Sequence, residues 1–276
     1  MYIAPLRRII IPKMNKFDIA IIGAGAAGMM AGIWAAKTNP KLDILLIDGA
    51  KKLGAKILVS GGGRCNITNR YVSANDYGGG SRNAIKKVLQ EFTADETISF
   101  FNQLNVQTKE EPLGKIFPLS NSAKDIVKAL LAEINKLGIV LQHPYRVGKV
   151  NYQDNQFMIM SDDNQPTVYA NKLILATGGR ALPKSGSDGK GYLFTKQFGH
   201  SLTKNIFPAL VPLTLENNNF LLALKGITLP TKLSVNSPLS KKKISFGGST
   251  LITHFGLSGP SVLNISRYYI AAKNES

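Results

Sequence analysis

The stretch FDIAIIGAGAAGMMAGIWAAKTNPKLDILLID, residues 17 to 48, constrains the fold more than any other part of the chain. Phe17 to Ile22 is a β-rich apolar run. Gly23, Gly25 and Gly28 follow at Gly-x-Gly-x-x-Gly spacing, and Met29 to Lys37 reads as a small-residue helix that Asn39-Pro40 stops. Leu42 to Ile47 is then a second buried strand, ending in Asp48. Together they predict a βαβ unit and place the chain in the α/β class, with a Rossmann-like domain.

Each glycine has a distinct task in such a unit. Gly23 makes the tight turn, Gly25 lets a pyrophosphate approach the backbone, and Gly28 lets helix and strand pack closely. The phosphates then lie over the helix N-terminus at Ala26 and Ala27. Asp48 follows Gly28 at the distance where an acid takes ribose hydroxyls. A carboxylate there repels the extra phosphate of NADP, leaving NAD or the ADP half of FAD as the nucleotide.

Ten residues later comes LVSGGGRCNITNR, residues 58 to 70. Three consecutive glycines lose much conformational entropy on folding and offer nothing to pack. The segment predicts a loop returning toward the same nucleotide. Gly61, Gly62 and Gly63 would run against pyrophosphate or flavin, Arg64 and Lys56 would offset phosphate charge, and Asn66 and Asn69 would hydrogen-bond polar edges. Cys65, the one cysteine of the chain, reads as a small packed residue more readily than as a redox thiol.

These residues carry a resemblance. IIGAGAAGMMAG and IDGAKKLGAKILVSGGGRCNITN resemble the BaiN-type family of bacterial FAD-dependent NAD(P)H oxidoreductases. So do, in the same order, KEEPLGKIFPLSNSAKDIV, LILATGG, PKSGSDGKGYLFTKQFGHSL, FPALVPLTL and THFGLSGPSVLNISR. The resemblance runs from about Lys16 to the end. It implies a Rossmann-like FAD-binding domain with a β-meander and an inserted β-rich domain, incomplete at the C-terminus. It places Gly23, Ala26, Gly28, Asp48, Lys56, Arg64 and Cys65 in the FAD-binding part, puts Val147 where the backbone meets adenine, and returns Ala176, Thr177 and Gly178 to the cofactor. It also implies a chain continuing beyond Ser276.

Between these blocks, Thr93-Ala-Asp-Glu96 is a capping-box pattern and Ser122 with Asp125 starts another helix, so residues 82 to 137 read as mainly helical. Three β-like pieces follow, at 140 to 150, 157 to 161 and 168 to 175. The domains expected are an extension over residues 1 to 15, an FAD-binding domain over 16 to 195, and a β-rich substrate domain from 196 to 276. His143, His200 and His254 lack visible carboxylate partners and read as structural.

Charge enters only when partners are weighed. Thirty-four Lys and Arg against 17 Asp and Glu give +17, suited to an anionic partner. Yet the basic residues are scattered, the longest block being Lys241 to Lys243, and no compact patch interleaved with aromatics is visible, so no nucleic-acid partner is expected. The apolar run Ile19 to Ala36 reads as fold core rather than a membrane span, because Gly23, Gly25 and Gly28 interrupt it. A single cysteine requires no oxidising compartment, and the cytoplasm is the expected location.

The leading expectation is an oxidoreductase whose FAD takes hydride from NAD(P)H, a transient co-substrate since no second glycine fingerprint appears. Electrons would pass to a small organic acceptor, such as an unsaturated carbonyl compound, or to oxygen. The alternatives are a tRNA-modifying flavoprotein, which the charge favours, and a non-catalytic FAD-binding fragment. A simple NAD-dependent dehydrogenase leaves the Gly-Gly-Gly-Arg-Cys-Asn loop without a role.

Overall fold

The computed structural model describes residues 15–78, 80–203, 205–236 and 243–275. The extension over residues 1 to 13 and Lys241-Lys242 of the basic block lie outside them. The chain divides into two compact units, up to His200 and from Ser201 onward.

In the first unit, β1 (Lys16–Ile22) leads into helix α1 (Ala26–Thr38) and returns as β2 (Ile44–Ile47), parallel to β1 with Ile22 opposite Ile47. β2 throughout and β1 from Ala20 to Ile22 are buried, the pattern of a parallel sheet covered by helices. A short helix α2 (Ala55–Val59) and a 3-10 turn (Ser60–Gly63) follow, then β3 (Thr68–Asn69), a second 3-10 turn (Ala74–Asp76), and helices α3 (Arg82–Glu91) and α4 (Ala94–Gln103). The Thr93–Glu96 capping box forms in both directions at the start of α4.

Residues 82 to 137 are not helical throughout. Strands β4 (Thr108–Glu111) and β5 (Lys115–Pro118) make an antiparallel hairpin joined by β3. Helix α5 (Ala123–Lys136) then buries Ile126, Leu130 and Ile134 along one face. It starts at Ser122 as expected, but the Ser122 side chain makes no capping bond.

The β-like piece at 140 to 150 divides at the cis His143–Pro144 bond. Its first half, β6 (Val140–Gln142), extends the parallel sheet beside β2; its second, β7 (Val147–Gln153), enters a meander with β8 (Gln156–Ser161) and β9 (Val168–Leu175). Strand β9 closes back on the other side of β1, in parallel, giving the order β6-β2-β1-β9-β8-β7. Because β2 and β9 flank β1 on opposite sides, the carboxyl end of β1 is the switch point where a doubly wound sheet opens a crevice. Helix α6 (Lys190–Gln197) ends the unit.

The second unit holds a four-stranded sheet in the order β10-β13-β12-β11, formed by β10 (Leu213–Thr214), β11 (Thr228–Val235), β12 (Ile244–Ile252) and β13 (Gly256–Ser258), with helix α7 (Pro260–Glu275). Thr231, Thr250 and Ser261 pass hydrogen bonds between their hydroxyls beneath α7, so these buried polar groups are satisfied. Among the described residues no helix is long and apolar enough to cross a membrane.

Candidate functional site

A cavity of about 640 Å³ opens at the carboxyl ends of β1, β2 and β9. That volume lies within the range of small-molecule and cofactor sites. It is built wholly from the first unit.

The glycine fingerprint forms its floor. Ile22 O accepts the Ala176 N–H and Ile47 O accepts the Gly23 N–H, so the three strand ends are tied together. Gly23 has φ +108°, and a Cβ there would stand 2.5 Å from Ala176 O. At Gly28 a Cβ would lie 1.7 Å from Gly23 O, which is why helix and strand can touch. Gly25 differs from both: its Cβ would meet nothing within 4 Å and would project into open space at the start of α1. The helix has no side-chain cap, and its first intrahelical backbone bond runs from Met29 N to Gly25 O. The amides of Ala26 and Ala27 therefore face the cavity as free donors with the positive end of the helix dipole, a geometry that suits a diphosphate.

Asp48 stands beside them. Its Oδ2 accepts the Ala24 N–H at 2.6 Å and its Oδ1 the Ala50 N–H at 2.7 Å. The carboxylate is thus fixed in direction while lone pairs remain on both oxygens for further donors such as ribose hydroxyls. Across the cavity the Lys56 ammonium donates to the Ser187 hydroxyl beside Gly178. Among the described residues Lys56 forms no ion pair, so a cation faces the space with a single neutral partner.

Of the residues expected from the sequence, Gly23, Gly25, Ala26, Ala27, Asp48, Lys56, Cys65, Asn66, Val147, Ala176, Thr177 and Gly178 line this one cavity. Gly28 lies behind the turn. Gly62, Gly63 and Arg64 do not line the cavity. Arg64 instead donates to Glu111 Oε1 at 2.6 Å and lies 4.0 Å over the Phe117 ring. Asn69 is likewise spent on structure: its amide bonds Leu113 O and the Tyr71 N–H.

Cys65 sits in left-handed backbone, φ +63°, with its side chain buried against the cavity. Burial pushes its thiol up, outweighing the Ser60 hydroxyl that pulls it down. A thiol raised in this way is a poorer nucleophile than a free one. His143 Nε2 bonds Ala50 O at 2.6 Å, which fixes that nitrogen as the donor and gives the ring a structural task at the rim. No group of ligand-type side chains among the described residues could hold a metal ion.

Sequence reasoning missed several lining residues. Tyr145, wholly buried, shares its hydroxyl hydrogen between Ile159 O at 3.1 Å and Pro166 O at 3.0 Å and so ties the start of the meander together; burial raises its phenol to about 12. Arg146 pairs with Asp188 and Asp162, and Lys190 with Asp162. The polar run SGSDGK, residues 185 to 190, was the available signal for this side.

A family model described as the HI0933-like protein Rossmann domain matches residues 17–264. The chain belongs to that family. It is the BaiN-type flavoprotein family that the sequence resembles, and its Rossmann-type fold is of the FAD-binding kind. Three curated relatives share the fold-bearing region. The ribosomal RNA dihydrouridine synthase of Escherichia coli is 37% identical over 261 residues, 93% of this chain and 62% of that protein. The 3-dehydro-bile acid delta(4,6)-reductase of Clostridium scindens is 33% identical over 92% of this chain and 60% of its own length. The ribosomal RNA dihydrouridine synthase of Haemophilus influenzae is 36% identical over 90% and 61%. The chain thus spans about three fifths of the length of these relatives.

Proposed function

We propose that this chain is the FAD-binding part of a reductase that adds two hydrogens across a carbon–carbon double bond conjugated with a carbonyl, acting on uracil rings in RNA. The observation that carries this reading is the pair of relatives named for ribosomal RNA dihydrouridine synthesis, at 37% and 36% identity over nine tenths of the chain. A uracil C5–C6 bond and the double bonds of a 3-oxo bile acid share one feature, a carbonyl in conjugation. The excess of basic residues, +17 overall, supports a polyanionic substrate. In place of the small-molecule substrate and absence of nucleic acid expected from the sequence, this reading takes RNA as the substrate, on the relatives' names.

Bound FAD supplies the hydride chemistry. The chain's own residues hold and orient. In this reading the Ala26 and Ala27 amides and the open face of Gly25 receive the diphosphate, and the Asp48 carboxylate accepts from the ribose. The Val147 backbone flanks the adenine. Lys56 offsets negative charge beside Gly178, and Ala176 and Thr177 close the floor. NAD(P)H is the reductant we assign, visiting as a transient co-substrate.

One observation favours a small unsaturated ketone instead: Phe92, Phe101, Ile126 and Leu130 give the cavity an apolar end. Anaerobic incubation of the FAD-loaded protein with NADPH or NADH decides between them. Uridine-containing RNA should gain two hydrogens in mass at uracil while a steroidal enone is left unchanged; reduction of the enone alone would contradict the RNA reading.

A further inference from the structure

We infer that the exposed side of residues 70–78 and of helix α3 is a docking face for single-stranded RNA, with Tyr71 and Tyr77 as stacking platforms and Arg82, Lys86 and Lys87 as phosphate contacts. The inference rests on the RNA reading above and says where the strand is held.

Two tyrosines stand out of the surface here. Tyr71 is 70% exposed and Tyr77 is 51% exposed. Neither position is casual. The Asn69 side chain accepts the Tyr71 N–H and donates to Leu113 O, and the Tyr71 ring lies against Gly114, where a Cβ would meet its Cδ2 at 2.6 Å. Most of the ring is left to solvent. Tyr77 ends the 3-10 turn Ala74–Asp76, which the reciprocal Ser73–Asp76 capping box holds. Rigid aromatic faces of this kind stack with any base and lose little entropy in doing so.

Helix α3 packs against that turn. It turns Ile85 and Leu89 partly inward and buries no residue fully. Arg82, Lys86 and Lys87 are exposed, and among the described residues none of the three forms an ion pair. Asp76, the one carboxylate between Ser73 and Lys87, is occupied by Ser73. Between Ser73 and Lys87 three exposed cations stand against the one carboxylate Asp76, so the cluster is aromatic and net positive, the combination that single-stranded nucleic acid fits. Linear spacing hides it, because the folded turn brings α3 back beside residues that precede it.

The segment also leads to the chemistry. Its approach, Cys65 to Ile67, and its exit, Phe92 and Thr97, line the cavity. The segment's own residues line none of the cavity, so a strand held on this face is held next to the site rather than in it.

The test is fluorescence anisotropy of the full FAD-loaded chain with a labelled uridine-rich single-stranded RNA of about ten nucleotides. Lys86→Glu with Lys87→Glu should weaken binding about tenfold or more at moderate salt and lower the salt slope by about two. Tyr71→Ala and Tyr77→Ala should each cost about fivefold, and Tyr→Phe at either site should restore binding. The control is Lys124→Glu with Lys128→Glu on α5, an equal charge change on exposed residues elsewhere, expected to cost less than about twofold. Flavin absorbance and thermal midpoint report that every variant is folded. Equal losses from the two charge reversals, or tyrosine variants that bind like the unaltered chain, would overturn the face alone. No binding by the unaltered chain would overturn the RNA reading itself.

Discussion

Two glycine-rich turns, Gly23–Gly28 and Ser60–Asn66, look alike on paper and do different work. In the first, glycine is demanded by neighbours or by open space: Ala176 O at Gly23, Gly23 O at Gly28, and the cavity itself at Gly25. In the second, it is demanded mainly by the backbone. Gly61, Gly62 and Gly63 all have positive φ, yet a Cβ at Gly62 would meet nothing. That loop sends its arginine away, onto Glu111 and Phe117, and gives the cavity Ser60, Cys65 and Asn66. A glycine count alone does not separate room for a ligand from room for a turn. Cavity lining and backbone angle do: Gly25 borders the cavity at φ −81°, whereas Gly62 has φ +70° and does not border it.

Substitution at Gly28 should break this contrast hardest. Gly28→Ala must push α1 off the β1 turn, so the expected outcome is loss of FAD binding together with a lowered thermal midpoint, read by absorbance and by unfolding. Asp48→Ala comes next: losing a carboxylate fixed by two backbone donors should weaken FAD binding at least about tenfold in a fluorescence titration. Lys56→Met, which keeps the bulk and removes the charge, should cost about fivefold to tenfold in the same titration.

The second loop should respond in stability rather than in binding. Gly62→Ala places a side chain at φ +70° in open space, for a cost of about 1 kcal/mol with FAD affinity unchanged. Acid sharpens the difference further. The Arg64 hydrogen bond holds the Glu111 carboxyl below its ordinary value. A depressed carboxylate contributes stability above its unfolded pKa, about 4.3, and loses it as pH falls through the folded value. Arg64→Ala should therefore lower the thermal midpoint slightly at neutral pH, flatten the acid limb of the profile, and leave FAD binding as it was.

These contrasts also mark what the sequence could tell. The βαβ unit was legible because strand, turn, helix, strand and acid are consecutive, and Lys16–Ile22, Ala26–Thr38 and Ile44–Ile47 overlap the expected Phe17–Ile22, Met29–Lys37 and Leu42–Ile47, the helix starting earlier and the second strand later. Asp48 was legible for the same reason. Arg64 was not, since its partner Glu111 lies 47 residues away in a hairpin that was itself hidden. Thr108–Glu111 is a polar run without apolar alternation and gives no strand signal, although its partner strand is buried at Ile116, Phe117 and Pro118. Ser187 and Arg146 were hidden by topology: Ser187 reaches the cavity because β9 folds back beside β1, and Arg146 because β6 pairs with β2 and the Tyr145 N–H donates to Asp48 O.

The central claim is that the first turn and Asp48 hold FAD. A titration of the purified chain with FAD, followed by flavin fluorescence and repeated on Asp48→Ala, tests it most directly. The account expects one FAD per chain and an affinity at least about tenfold weaker in the variant. FAD binding of equal strength in both proteins, or none in the unaltered chain, would contradict it.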